Sequence, residues 1–302
     1  MTKFRIGRHI NVGHPHSFLT APADAEQLQC QIMQIFLGNP QNPMSKARSK
    51  CDLIAFGTEL KLHKQKVVIH GHYTINFCHG SDSSRFRTSV KALVSDLKSS
   101  SIIGSRSLGV IIHMGKNKTE LTESEALTNY VYGLQTVLNL TADIDVPIIL
   151  ETGAGVGQEV GTKIDKLAWI YHHLKPSEQP RIRFCIDTCH IWSAGYDISN
   201  KKLVRKFFSE FDELIGINKI TCFHFNNSSR ELGSRTDRHA DLLYGLINPA
   251  GLEAVAKFAY LHRIPIIMET PLQAVNPTTN ADITFEEELA TVKKWIGRDL
   301  MI

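Results

Sequence analysis

The stretch RFCIDTCHIWSAGYD, residues 183–197, sets the terms on which the rest of the chain is read. Phe184, Cys185 and Ile186 form an apolar run of the kind that lies inside a sheet. It leads without a break into Asp187 and, three residues on, His190. A carboxylate at the end of a buried strand is costly unless something positive shares it. Seven other apolar, β-rich runs recur along the chain, at 4–10, 29–37, 66–73, 108–115, 146–152, 219–227 and 264–270. With 181–190 they make eight. They are continuous rather than alternating in polarity, as in parallel strands covered on both faces. Amphipathic segments of helical length separate most of them, among them 45–63, 84–98, 124–140, 202–216, 250–262 and 284–297. Eight strand–helix units in 302 residues predict an α/β fold, a (β/α)8 TIM barrel in one domain spanning 1–302. A doubly wound open sheet is the alternative, but no G-x-G-x-x-G or Walker motif follows any of the runs.

Composition sets few further limits. At 42% hydrophobic and 21% charged residues the chain can bury a large core. A net charge of +4 permits an anionic partner without requiring one. Six cysteines (30, 51, 78, 185, 189 and 222) form no C-x-x-C pair and read as thiols of a reducing compartment. The first residues lack a signal-peptide core, and no apolar run is as long as a membrane span. The chain is therefore expected inside the cell, in cytoplasm or nucleus (or in a virion, were the source viral), neither secreted nor at a membrane. Trp169 and Trp295 fall in helix-like runs and read as packing residues.

Chemistry enters at the strand ends. The third run reaches His70, the fourth His113, the fifth Glu151, the sixth Asp187 and His190, the seventh His224 and the eighth Glu269. In a barrel all lie at or near the carboxyl ends of the strands, where barrel active sites are built. One histidine at a strand end is commonly a hydrogen-bonded structural residue. Several imidazoles and carboxylates buried together would be very costly without cations, so the pattern points to bound metal. The loop 231–243 adds Asp237 and His239, two residues apart and so on one side of an extended backbone, with Arg235 and Arg238 beside them. Nitrogen and carboxylate donors without sulfur suit catalytic zinc, with manganese or iron as substitutes. Cys189 is expected to point away from its neighbours and to pack.

The motifs HGHYTIN (70–76), HMG (113–115), ETGAGVGQ (151–158), DTCHIWSAGYD (187–197), HFNNS (224–228), GSRTDRH (233–239) and ETP (269–271) follow in order along almost the whole chain. Together they resemble the endonuclease IV family of apurinic/apyrimidinic (AP) endonucleases, and the strand with His9 and IFLGNP (35–40) fit as well. The resemblance implies a TIM barrel carrying three zinc ions. His70, His113 and Glu151 would hold the first. Glu151 would bridge to a second, completed by Asp187, His224 and Glu269, and these three carboxylates would be the catalytic ones. His190, Asp237 and His239 would hold the third.

The implied substrate is double-stranded DNA containing abasic sites, and the implied form is a monomer. The implied reaction is hydrolysis of the phosphodiester 5′ to the abasic site, leaving a 3′-hydroxyl and a 5′-deoxyribose phosphate. A 3′-phosphodiesterase or 3′–5′ exonuclease side activity is left open. Three Zn²⁺ outweigh four carboxylates, which suits an anionic substrate. Tyr73 matches a groove-facing tyrosine, Asn226 and Ser228 lie in a phosphate-side segment, and Arg235 suggests an anion nearby. Lys46, Arg48 and Lys50 could meet backbone phosphates. One departure stands out: Gln41 replaces an arginine that in many relatives penetrates the DNA helix. The rival reading is a metal-dependent sugar isomerase or epimerase on the same barrel. It needs one or two ions and has no use for His190, Asp237 and His239. A catalytically silent damaged-DNA-binding protein would be expected to lack a ligand, and none is missing.

Overall fold

A computed structural model describes residues 4–13, 17–43, 47–118, 120–275 and 282–297. Eight parallel strands close into a barrel: β1 (Ile6–His9), β2 (Ile32–Phe36), β3 (Lys66–His70), β4 (Ser107–Ile112), β5 (Ile148–Glu151), β6 (Ile182–Asp187), β7 (Ile220–His224) and β8 (Ile266–Met268). Each pairs with its neighbours in chain order, and β8 closes onto β1 through Ile6–Ile266 and Arg8–Met268. The predicted TIM barrel is therefore the fold observed. Closure leaves no free sheet edge, and it turns successive residues alternately inward and outward. Val67 and Ile69 face out to the helices while Val68 faces in; Ile148 and Leu150 face out while Ile149 faces in. At the tightest point Gly7 of β1 passes β2 so closely that a Cβ would sit 1.6 Å from the carbonyl oxygen of Ile32. No other residue fits there.

The helices form the outer layer. They are α1 (Ala21–Gln27), α2 (Lys50–Leu62), α3 (Ser84–Ile103), α4 (Glu123–Leu140), α5 (Ile164–His172), α6 (Thr188–Ser193), α7 (Lys201–Leu214), α8 (Pro249–His262) and α9 (Phe285–Trp295). Short polar caps start most of them. Ser49, Ser83 and Asn200 each accept a backbone N–H, and Thr122 with Glu125 and Thr284 with Glu287 form complete capping boxes. Among the described residues no helix is long and apolar enough to cross a membrane.

The opening stretch departs from its reading in one respect. The strand stops at Asp187 rather than running to His190. The Asp187 carboxylate accepts from the backbone N–H of His190 at 2.9 Å and so caps α6, turning the next residues into a helix. Asp187 and His190 are thus related by a helical turn and not by strand alternation.

Candidate metal centre

Inside the barrel an apolar floor is made by Ile32, Val68, Ile111, Ile149, Cys185, Cys222 and Ile267. Two residues further along each strand, and hence on the same inward face, stand Gln34, His70, His113, Glu151, Asp187, His224 and Glu269. His9 takes the same place two residues after Gly7. The strands therefore carry an apolar ring and, directly above it at their carboxyl ends, a polar ring.

The polar ring and its adjoining loop divide into groups whose ligating atoms lie within 4.8 Å of one another. One is His70, His113 and Glu151; another is Glu151, Asp187, His224 and Glu269. Glu151 serves both. Its Oε2 lies 3.3 Å from His113 Nδ1 and 3.6 Å from His70 Nε2, while its Oε1 lies 2.8 Å from His224 Nδ1. Asp187, His190 and His239 form a third group. Asp237 joins there, with its Oδ1 3.2 Å from Nε2 of both His190 and His239. All nine candidate ligands read from the sequence thus meet at one mouth. Cys189 is the exception to expectation. Because residues 188–193 are helical rather than extended, its buried thiol comes within 4.8 Å of the ligating atoms of Asp237 and His239. Burial pushes it up to about 12, so the thiol stays protonated and packs.

The histidines are aimed. His70 Nδ1 faces the carbonyl of Gly71 at 2.8 Å, His190 Nδ1 that of Thr152 at 2.8 Å, and His239 Nδ1 that of Glu269 at 3.2 Å. A carbonyl only accepts, so in each ring Nδ1 carries a hydrogen and Nε2 is the nitrogen turned into the cluster. The Nε2 atoms of His190 and His239, and Glu151 Oε2, are buried with no hydrogen-bond partner. Converging donor atoms left unsatisfied by protein are what a cation site requires.

The field at this mouth also favours positive charge. Burial works against charging His224 and His239, yet carboxylates beside them hold His224 up to about 10 (Glu269, Glu151) and His239 up to about 9 (Asp237, Asp187). Burial likewise opposes ionising Glu269, but His224 and His239 bring it down to about 2. His113, where burial dominates, falls to about 4. Nitrogen and carboxylate donors in a negative field fit zinc or a similar divalent ion.

Of the expected DNA contacts, Tyr73 fits best. It is half exposed, packs its ring against Phe36 at 5.2 Å and against His70 and His113 at 5.5 Å each, and its N–H donates to Pro40 of the loop carrying Gln41. Gln41 is exposed on that loop, with its backbone N–H held by Asn39. Asn226 is not a surface contact. It is fully buried, its amide donates to Asp187 Oδ2 at 2.9 Å, and its carbonyl oxygen accepts from the Glu269 N–H at 2.8 Å. It orients Asp187 and the backbone of Glu269. Arg235 spends its guanidinium on the carbonyls of Gly155 (2.9 Å) and Gly157 (3.0 Å), bracing the glycine loop after β5. Arg48 lies over the Phe18 ring and donates to the Leu37 carbonyl, whereas Lys50 is exposed; Lys46 lies outside the described residues. Gln34 went unnoticed in the sequence. Its only signal is a polar residue inside the apolar run IMQIF, two places beyond a floor residue.

Over the ring opens a cavity of about 1260 Å³, lined among others by Tyr73, His113, Glu269, Lys116 and Arg85. The family described as xylose isomerase-like TIM barrel matches residues 22–295. A protein of Acanthamoeba polyphaga mimivirus that bears the name endonuclease 4 is 53% identical over 294 residues, covering 97% of this chain and 93% of that one. One of Nitrosopumilus maritimus with the same name is 32% identical over 271 residues, covering 89% and 94%. Among solved structures, endonuclease IV from Thermus thermophilus matches with a TM-score of 0.79 at 27% identity, over 97% of this chain and 98% of that one.

Proposed function

This chain belongs to the endonuclease IV family of TIM barrels, and from that premise we propose that its mouth is a trinuclear zinc centre cutting DNA 5′ to abasic sites. As a member of the family it is an AP endonuclease, a metal-dependent hydrolase of DNA. The finer reading is carried by one observation. Glu151 reaches both the His70–His113 pair and His224, while Asp237 stands equidistant from His190 and His239. That is a donor set for two neighbouring ions sharing a carboxylate and for a third ion beside them.

His70, His113 and Glu151 would hold the first ion, Glu151, Asp187, His224 and Glu269 the second, and His190, Asp237 and His239 the third. When bound, zinc lowers the pKa of a coordinated water from about 15.7 to about 7 and offsets charge on phosphate oxygens. The chain supplies the rest. Backbone carbonyls keep the histidine lone pairs pointed inward, and Asn226 holds Asp187 and the Glu269 backbone in register. Tyr73 walls the cavity above His70 and His113. Extrusion into that cavity is cheapest for a nucleotide with no base to unstack, which is one source of selectivity. A 3′-phosphodiesterase activity would use the same centre. A sugar isomerase would leave the third group idle. The chain is read as one catalytic domain acting as a monomer in a reducing, intracellular setting, in keeping with six free cysteines.

The test measures metal content and cleavage of a duplex carrying one abasic site on the same sample. Three zinc ions per chain and a single 5′ nick are expected. Chelation should abolish the nick and lower the melting temperature by on the order of 10 °C, since ligands of the native state stabilise it by mass action. Undiminished cleavage after proven metal removal would refute the reading.

A further inference from the structure

Gln34 occupies the ligand level of the polar ring yet offers no atom to an ion. It is fully buried on β2, and every polar atom of its amide is engaged. Its Nε2 donates to Glu269 Oε1 at 2.6 Å and faces His9 Nδ1 at 3.2 Å. Its Oε1 lies 2.7 Å from His224 Nε2. The orientation of the amide is forced. A carboxylate only accepts, so the NH₂ must face Glu269, and the carbonyl then faces His224. An oxygen at 2.7 Å from Nε2 requires the hydrogen to be on that nitrogen. The other nitrogen, Nδ1, is thereby the one left to face an ion; here it hydrogen-bonds Glu151 Oε1 (2.8 Å) and lies 3.1 Å from Glu269 Oε2, the carboxylates that would share that ion.

We propose that Gln34 is the positioning residue of the second metal site, one amide that selects the His224 tautomer and the free oxygen of Glu269 together. The inference rests on the trinuclear reading and adds to it. The other cluster histidines with an assigned tautomer are set by backbone carbonyls, which any sequence would supply. His224 depends on a side chain, so this site alone can be loosened by one substitution outside the ligand set. His9, on the second amide hydrogen, completes the bracket from β1 and packs its ring against Phe36 at 4.9 Å, tilted by 51°.

Two variants test it. Gln34→Met keeps the volume and apolar reach and removes every hydrogen bond. Gln34→Glu keeps an acceptor for His224 but replaces the donor to Glu269 with a like charge. Metal content after dialysis, zinc release to a competing chelator and the melting temperature of the metal-free protein are measured for both, beside the wild type. The expected result is one ion held roughly ten- to a hundredfold more weakly in each variant, the usual cost of losing a partner that orients a ligand. The metal-free melting temperature of Gln34→Glu is expected to change less than its zinc retention. Three ions held as firmly as in the wild type, with only the metal-free melting temperature lowered, would make Gln34 a packing residue and overturn the proposal. A wild type binding fewer than three ions would instead overturn the trinuclear reading beneath it. Should Gln34→Met not fold, full zinc retention in Gln34→Glu would still overturn the role, because it would show the donation to Glu269 to be unnecessary.

Discussion

Ile149 and Glu151 stand two residues apart on β5, equally buried and both facing the barrel axis. The same spacing separates Cys185 from Asp187 on β6, Cys222 from His224 on β7 and Ile267 from Glu269 beside β8. To the backbone the two levels are alike, since each is an inward residue of a closed parallel sheet. To solvation they are opposites. The floor is stabilised by leaving water, at about 25 cal/mol per Å² of apolar surface. The ring above it is destabilised by the same move unless charge is matched. Helix α3 shows what happens without matching. Asp96 is as enclosed as the ring carboxylates, its Oδ2 has no partner among the described residues, and burial pushes its carboxyl up to about 8. Glu151, opposed by the same burial, is held well below the carboxylate range by His113 and His224. At Glu151 and Glu269 burial has been compensated in advance, whereas at Asp187 burial still dominates and raises the carboxyl.

The largest break in this comparison comes from Glu151→Ala. It removes the oxygen pair that two ions would share on the trinuclear reading, so two ions should be lost and cleavage should fall by roughly a thousandfold or more, a few kcal/mol of lost transition-state stabilisation. His190→Ala removes a candidate ligand of the third group alone, although its Nδ1 also lies 3.3 Å from Glu151 Oε1; it should leave two ions bound, with cleavage slower by roughly a hundredfold. Counting metal in the two purified variants decides the matter. Equal losses would mean that the groups are one undivided cluster rather than a pair plus a third.

Asp96→Asn probes burial without compensation. The ordinary aspartate value is 3.8 and the folded value about 8. Between those pH values the native state keeps a proton that the unfolded chain gives up, so this residue makes stability fall as pH rises through the window. Below about pH 4 both states hold the proton and the effect vanishes. Asparagine has no proton to lose. The gain in melting temperature on Asp96→Asn should therefore be near zero at about pH 4 and grow to several degrees by about pH 8, at roughly 2–4 °C per kcal/mol. Parallel melting curves across that range would show that water reaches Asp96.

A milder change sharpens the contrast from the floor. Ile149→Val deletes one methylene two residues below Glu151 and should cost about 0.5–1.5 kcal/mol of stability, measured by denaturant unfolding. Metal count and cleavage rate of the folded protein should be unchanged. Loss of an ion would mean that floor packing sets ligand geometry and that the two rings are not separable.

How much of this could be read from the chain follows from the same physics. Apolar runs reveal strands, and a charged or imidazole group ending such a run is conspicuous, so the barrel and all nine candidate ligands could be placed before any coordinates. Gln34 could not. An uncharged amide inside IMQIF resembles a tolerated core residue until its partners on β7 and β8, 190 and 235 positions away, are brought to it. Asn226 is expected at the DNA through its place in a phosphate-side segment, but it is fully buried and its amide serves Asp187 and the Glu269 backbone. Arg235, expected beside an anion, braces the 153–157 loop through Nε and Nη2 and stays exposed, so that bracing and a contact with an anion are compatible. The helical turn at 188–193 was hidden because Asp187 looks the same as a strand end and as a helix cap.

The smallest expected effect lies farthest from both rings, at Gln41. Its loop is tied to the segment after β3 by Tyr73 N–H donating to the Pro40 carbonyl and His72 Nδ1–H to the Asn39 carbonyl, and Tyr73 in turn packs on His70 and His113. The residue itself is exposed and touches no candidate ligand. Glutamine there has reach and hydrogen bonding but lacks the charge and planar stacking face that an arginine would bring. Gln41→Arg should tighten binding to abasic duplex and steepen the log–log salt dependence by roughly −0.9, the value of one phosphate contact. Single-turnover cleavage of bound substrate should change little, because the polar ring is untouched. Binding is followed across a salt titration for both proteins, with cleavage measured under saturating enzyme. Parallel slopes would place the loop away from the phosphates. A large fall in single-turnover rate would be the more instructive failure, since it would mean that the Pro40–Tyr73 link carries strain from the loop down onto His70 and His113.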